Sequence, residues 1–377
     1  MGGVRLVDQA ELRYGGQMIV LGLESSCDDT GVALVRQVTP TAPVEVLYHR
    51  RASQTNLHAR FGGVVPELAA RAHAEAFAPL LRQALAATGL TPAAIDAVAA
   101  TTGPGLNGGL MVALMYAKSW CLAQDKPLYA INHLEGHVLM ALLSEPALQL
   151  PYLMLLVSGG HCQLIAARGL GDYTLLGGTV DDAIGECFDK TARLLGLGFP
   201  GGPAIEALAR QGNAQAVALP LPLLQQGLEF SFSGLKTAVR DYVLPRQPLS
   251  AAQTADLCAS LQLTISRLLA TKVQRALAQT GLTQVVLAGG VAANLYLRDQ
   301  LTAAAAAQGA QLFAPPPADC TDNGLMIAYA GLRRAQAGVA PDPLNCNVRV
   351  RWPLAELSPA PATTTTQAGL ADLTTGA

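Results

Sequence analysis

His133-Leu134-Glu135-Gly136-His137 is the sharpest chemical signal in the chain. Two histidines four apart project from one face of a helix, about 40° apart around its axis. Neutral imidazoles placed that way can share one metal ion. The chain holds only six histidines, so close pairing carries information. The competing reading is two ordinary hydrogen-bonded histidines. A helix pair leaves the coordination incomplete, and Asp322, at a loop-to-helix junction in Cys320-Thr321-Asp322-Asn323-Gly324, is best placed to add a third ligand. Glu135 stands two residues after the first histidine rather than beside it, unlike the HExxH of metallopeptidases, which weakens a peptidase reading.

Three Gly-Gly turns form a second group. Ser158-Gly159-Gly160 and Gly289-Gly290, the latter leading to Asn294, each follow an apolar run, and Gly201-Gly202 lies between Pro200 and Pro203. Glycine lets a backbone approach a phosphate, and free N–H groups at such turns bind anions. Most Gly-Gly pairs are merely tight turns, but three in one chain, two of them at predicted strand ends, favour a nucleotide site. Their spacing matches neither a P-loop nor a GxGxxG fingerprint. Asp28, Asp29, Asp181, Asp182, Glu186 and Asp189 fall at predicted turns and helix starts, where capping is the ordinary role; Asp181 is expected to cap the helix that contains Asp189. Phe230-Ser231-Phe232-Ser233 precedes a helix without the GxSxG elbow or a histidine partner, so capping and hydrophobic anchoring are expected there.

The elements that must carry these residues alternate between strand and helix. Strands are expected at 18–23, 30–36, 44–49, 95–100, 128–131, 152–157, 161–167 and 284–288. Helices are expected at 65–88, with Pro79 a kink or break and Gly89 a C-cap, and at 110–123 and 251–279. Each half opens with a strand, a polar turn and a returning strand: 20–23 to 30–34, then 152–157 to 161–167. This argues for an α/β fold of two similar halves facing each other across a cleft. The first half spans 18–131, completed by 325–357; the second spans 132–324 and holds the nucleotide and metal sites. Residues 1–17 read as a leader, and the Thr-, Ala- and Pro-rich segment 358–377 as a flexible tail.

Composition bounds the function. The 377 residues are 51% apolar and 14% charged, with 25 Lys plus Arg against 27 Asp plus Glu, giving a net charge of −2. That excludes disorder for the bulk of the chain and a broadly basic surface, so nucleic-acid binding must rest on local patches or a partner. The uncharged runs 97–117, 146–167 and 276–297 are long enough for membrane helices, but each is broken by Gly or Pro, so no membrane association is expected. Seven scattered cysteines without a CxxC pair, and no signal peptide, place the protein in the cytoplasm.

Ordered motifs from 18 to 357 resemble the TsaD family, the tRNA N6-adenosine threonylcarbamoyltransferases, bacterial counterparts of the KEOPS catalytic subunit. They include Glu24-Ser25-Ser26-Cys27-Asp28-Asp29-Thr30, Gly62-Gly63-Val64-Val65-Pro66-Glu67, Thr102-Gly103-Pro104-Gly105, the His133/His137 pair, Phe188-Asp189-Lys190-Thr191 and Cys320-Thr321-Asp322-Asn323-Gly324. The resemblance implies an actin-like, Hsp70-like ATPase-type fold. It implies transfer of the threonylcarbamoyl group from threonylcarbamoyl-AMP to N6 of adenosine 37 in tRNAs reading codons that begin with A, with release of AMP. By matching positions, His133, His137 and Asp322 would hold one Fe2+ (Zn2+ in some preparations). Leu156, Val157, Ser158, Gly159, Gly160, Asp189, Gly202 and Asn294 would hold the adenylate. Asp28 and Asp29 are the candidate catalytic carboxylates. Asp29 stands where many relatives carry Glu and could act through water, and Cys162 stands where many carry Thr. Expected partners are tRNA, a TsaB-like paralogue, a TsaE-like ATPase and an upstream TsaC-like adenylate-forming enzyme. Two other classes compete: a metallopeptidase using the histidine pair, and an ATPase or sugar kinase of the same fold.

Overall fold

The computed structural model describes residues 17–361. Most of the expected leader and tail lies outside them. Residues 358–361 are within, and Ala360 N–H donates to Leu170 O at 2.9 Å.

The first part of the chain runs β1 (Met18–Glu24), β2 (Asp29–Gln37), β3 (Glu45–Ser53), α1 (Thr55–Ala59), α2 (Pro66–Thr88), β4 (Ala97–Gly103), α3 (Asn107–Gln124), β5 (Leu128–Asn132) and α4 (His133–Ser144). The second runs β6 (Tyr152–Val157), β7 (Cys162–Gly169), β8 (Asp172–Gly178), α5 (Ile184–Leu194), α6 (Gly201–Ala209), α7 (Ser233–Val243), α8 (Ala251–Thr280), β9 (Gln284–Ala288), α9 (Leu295–Ala306), β10 (Gln311–Phe313) and α10 (Gly324–Gln336). Two five-stranded sheets result, ordered β3-β2-β1-β4-β5 and β8-β7-β6-β9-β10. In each, the first three strands form an antiparallel meander and the last two add in parallel. The two halves thus share one topology.

Central strands are apolar on both faces because helices cover both. In β6, Leu153 and Leu155 face the core under α5, α7, α8 and α9, whereas Tyr152, Met154 and Leu156 face the opposite core. Helices α2 and α3 cover one face of the first sheet, and α10 covers the other. Helix α4 serves both sheets: Leu139 and Met140 pack with the first, and Leu134, Val138 and Ala141 with the second. A helix buried nearly all round must be apolar nearly all round, so its two histidines and its glutamate require partners.

Three expectations are corrected. Helix α2 is not broken at Pro79 but runs on to Thr88, and the expected C-cap is there: Gly89, with a left-handed φ of 67°, donates its N–H to Leu85 O. Strands β8 and β10 are additional; both lie at the edges of the second sheet. Asp181 caps α7, not α5. It accepts from Phe232 N–H at 2.8 Å and from the Ser231 and Ser233 hydroxyls at 2.6 Å each. Phe230 and Phe232 are buried in the core, so this segment caps and anchors as its sequence suggests. The long uncharged runs resolve into strand–turn–helix or strand–turn–strand units, and no described helix is long and apolar enough to cross a membrane. All seven cysteines are free.

Candidate metal and nucleotide site

A cavity of about 590 Å³ opens between the two sheets, where the β1–β2 turn faces the β6–β7 turn. Its wall includes Asp28, Asp29, His133, Ser158, Gly159, Gly160, Asp189 and Asp322. His133 and Asp322 therefore meet on this wall, although they are almost 190 residues apart in the chain, and His137 lies off the lining but in the same cluster.

Asn132 fixes the start of α4. Its side chain accepts from Leu134 N–H at 2.9 Å and donates to Trp352 O at 2.9 Å. His133 and His137 then rise on one face with ring centroids 4.8 Å apart. Asn323 caps α10 through Met326 N–H at 3.0 Å, which fixes the turn bearing Asp322. Asp322 Oδ1 lies 3.1 Å from His137 Nε2 and 3.4 Å from His133 Nε2, and the three ligand atoms fall within 4.8 Å of one another. Two imidazoles and one carboxylate, with further positions open to the cavity, are a donor set suited to Fe2+ or Zn2+.

A second shell supports the fit. His133 Nδ1 is 3.3 Å from Glu24 Oε2 and 3.0 Å from Ser26 Oγ. A carboxylate on the far ring nitrogen fixes the tautomer and aims Nε2 at a metal. Glu24, fully buried, also accepts from Ser26 N–H at 2.6 Å and from the Thr101 hydroxyl. Without metal, burial works to lower the His133 pKa, but the Asp322 and Glu24 carboxylates outweigh it and hold the imidazolium up to about 10. Burial likewise opposes ionisation of Asp322, yet the two imidazoles keep it well below the usual range. A metal ion bound here would displace the proton held on His133.

Glu135 has no part in this cluster. It is fully buried, with Oε2 accepting from Arg334 Nε at 2.6 Å and Oε1 from Tyr173 at 3.0 Å. The carboxylate that a metallopeptidase would need to activate water is committed elsewhere.

On the opposite wall, Ser158 N–H donates to His161 O at 2.8 Å, closing the β6–β7 turn. The N–H groups of Gly159 and Gly160 find no acceptor among the described residues and remain free donors on the cavity lining. Gly289 ends β9 with φ 92°, and a Cβ there would fall 2.4 Å from Val157 O, so only glycine lets the next turn, with Gly290, reach the cavity. Burial and the His133 and His137 imidazoles hold the cavity-lining His161 down to about 4, so it is neutral at neutral pH.

The remaining expected substrate residues divide. Asp189 lines the cavity, but its Oδ1 already accepts from Gly201 N–H at 2.7 Å, leaving the other oxygen for a ligand. Leu156 and Val157 are completely buried, with side chains in the two cores; they support the turn and do not line the cavity. Asn294 also lies off the lining: it caps α9 through Leu297 N–H at 2.9 Å and donates to Gln262 at 3.1 Å. Gly202 lies in the first turn of α6, outside the lining but with open space where a Cβ would stand.

Asp28 and Asp29 both line the cavity. Burial pushes the Asp29 carboxyl up to about 7, against the lowering pull of Arg51, whose Nη1 is 2.9 Å from Oδ2. Arg51 also reaches the Thr321 hydroxyl, next to Asp322 of the His-His-Asp cluster. Sequence reasoning missed Glu24, Arg51 and His161 as site residues. The available signals were an acid ending an apolar strand and a histidine beside a Gly-Gly turn.

The fold has solved relatives. Full-length HypF, in a phosphate- and nucleotide-bound form, superposes with a TM-score of 0.57 at 13% identity, over 87% of this chain and 57% of that one. HypF of T. kodakarensis gives 0.56 at 14% identity, over 85% of this chain and 48% of that one. The protein has the actin-like ATPase-type fold, with a His-His-Asp cluster at its cleft that could hold a metal ion. The TsaD family model, tRNA N6-adenosine threonylcarbamoyltransferase, matches residues 45–329. Proteins of that name from Rhizobium etli and Novosphingobium aromaticivorans are 52% and 49% identical, covering 89% and 90% of this chain and 94% and 96% of theirs. The chain belongs to the TsaD family and is a transferase.

Proposed function

We propose that the protein transfers the threonylcarbamoyl group of threonylcarbamoyl-AMP to N6 of adenosine 37 in tRNAs reading codons that begin with A. In this reaction the N6–carbon bond forms, the bond from carbonyl carbon to phosphate oxygen breaks, AMP leaves with the bonding pair, and a proton is lost from the amine. The observation that carries the reading is the meeting, in one cavity, of a His-His-Asp cluster and free glycine N–H donors. About 590 Å³ suits a nucleotide-sized donor, and a tRNA must present its base at the mouth.

His133, His137 and Asp322 would hold one Fe2+, or Zn2+. Such an ion, when bound, supplies a Lewis acid that orients and polarises the carbamoyl group. Gly159 and Gly160 N–H groups would donate to anionic oxygens of the donor, and the free Asp189 oxygen would accept from ribose hydroxyls. Asp29, with its carboxyl near 7, or Asp28 beside it, would receive the amine proton. The expected setting is the cytoplasm. A TsaC-like enzyme would supply the donor, and a TsaB-like paralogue and a TsaE-like ATPase would assist.

Reconstitution tests this reading, with labelled threonine, the adenylate-forming enzyme and unmodified tRNA, omitting one component at a time. Label should enter tRNA only when all are present. Label-free tRNA with every component present would reject the assignment.

A further inference from the structure

Cys27, Asp28 and Asp29 form one side of the cavity, and Gly62, Gly63 and Val64 form another. Behind them lies a row of buried polar side chains: Gln54 is 6% exposed, and His58 and His73 are fully buried. Their hydrogen bonds admit one consistent proton arrangement. Val65 N–H can only donate, so His58 Nδ1, 3.3 Å away, accepts. The His58 proton then sits on Nε2 and goes to Gln54 Oε1 at 3.1 Å. The Gln54 amide nitrogen donates to Ala69 O at 3.3 Å and to His73 Nδ1 at 3.2 Å. The Thr30 hydroxyl donates to His73 Nδ1 at 2.7 Å and shares that nitrogen's one lone pair with the longer Gln54 contact. His73 must therefore also carry its proton on Nε2, which it donates to Cys27 O at 3.1 Å. Gln54 N–H closes the circuit on Asp28 O at 3.1 Å. From the other side, α3 boxes the ring in: a Cβ at Gly109 would fall 3.3 Å from His73 and 2.2 Å from Ser25 O.

We propose that His58 and His73, joined through Gln54, are positioning residues: as neutral imidazoles protonated on Nε2 they tie the loop at 60–65 to the turn at 25–28 and so fix the spacing of two cavity walls. Every donor in the row meets an acceptor. A second proton on His58 would set N–H against Val65 N–H and break the tie. Burial favours the neutral form of His73, against the Cys27 carbonyl bond and the Glu24 and Asp28 carboxylates that face it; His58 is the other titratable group nearby.

Three measurements test this. Nitrogen chemical shifts of the imidazoles should show both rings neutral with the proton on Nε2 at neutral pH. Hydrogen exchange should then be followed in His58→Leu, His73→Leu and the double variant. A buried hydrogen bond lost from the row should raise local opening about tenfold. Because the row acts as a unit, His73→Leu should raise exchange at Val65, and His58→Leu at Asp28 and Asp29, with the double variant adding little. Thr30→Val, which removes one donor and keeps both rings, should show the same pattern more weakly and serves if the leucine variants do not fold. A ring that is charged or protonated on Nδ1, or exchange that rises only beside the substituted residue, overturns the proposal. The consequence for catalysis rests on the transferase reading: the variants should raise KM for the adenylate with metal content unchanged, and an unchanged KM would overturn it. Transfer absent in the unsubstituted chain would instead count against that reading, since the shifts and exchange do not depend on it.

Discussion

His133 and His137 have the same sequence spacing but different surroundings, and substitution should separate them. His137 Nε2 meets only Asp322 in the cluster, whereas His133 also offsets the charge of the buried Glu24. His137→Ala should therefore lose bound metal and transfer activity while melting near the parent temperature. His133→Ala should lose both and also melt lower, because Glu24 is left buried and uncompensated. Elemental analysis and thermal melting check this, and a metal-loaded, active His137→Ala would remove the residue from the site. Asp29 gives a pH-dependent test. The folded chain keeps its proton to about pH 7, whereas an unfolded chain releases it in the ordinary carboxylate range. The folded state thus binds more protons across that window, and its stability falls as pH rises through it, then levels off. Asp29→Asn cannot titrate. Relative to it, the parent should lose stability at up to about 1.4 kcal/mol per pH unit in that window. Urea midpoints of the two proteins from pH 5 to 8 measure the difference, and parallel curves would refute the raised carboxyl.

At the scale of elements, the His-His-Asp cluster depends on the packing of α4 against α10. Glu135 and Arg334 tie these helices together inside the protein. Arg334→Met leaves a carboxylate with only Tyr173 for company and should cost about 3–5 kcal/mol. Glu135→Gln combined with Arg334→Met should recover a good part of that in chemical denaturation. This pair also marks where sequence reading stops. The spacing of His133 and His137 was legible because a helix's periodicity is local. So were β6 and β9, whose apolar runs match their bounds, and the opening hairpin of each half. Partners far apart in the chain were not legible: Glu24 with His133, or Arg51 with Asp29 and Thr321. Nor were β8 and β10. A half-exposed edge strand and a three-residue strand carry too short an apolar pattern to stand out. Asp181 shows a third limit: a polar residue near a helix start is recognisable, but which helix it caps depends on the fold.

For the whole molecule, the surface charge shapes how a tRNA can bind. Among the cations of α5 and α7, Lys190 and Lys236 share Asp182, and Arg240 lies 3.1 Å from Asp241. Arg193 lines the cavity with no ion pair among the described residues. With a net charge of −2, the isolated chain should bind tRNA weakly and with strong salt dependence. Adding the paralogous partner should tighten binding and steepen the slope of log affinity against log salt, as more phosphates are neutralised. Filter binding across a salt series decides it, and tight binding by the chain alone would contradict the expectation. The shared strand order of the two sheets has a last consequence. A repeated topology brings the same hairpin turn to the cleft twice, and two identical turns would accept a ligand in either orientation. Here one side carries the carboxyl groups of Asp28 and Asp29 and the other the free N–H groups of Gly159 and Gly160, so one end presents an anion with acceptors and the other with donors. The difference between two four-residue turns gives a pseudosymmetric cleft a direction.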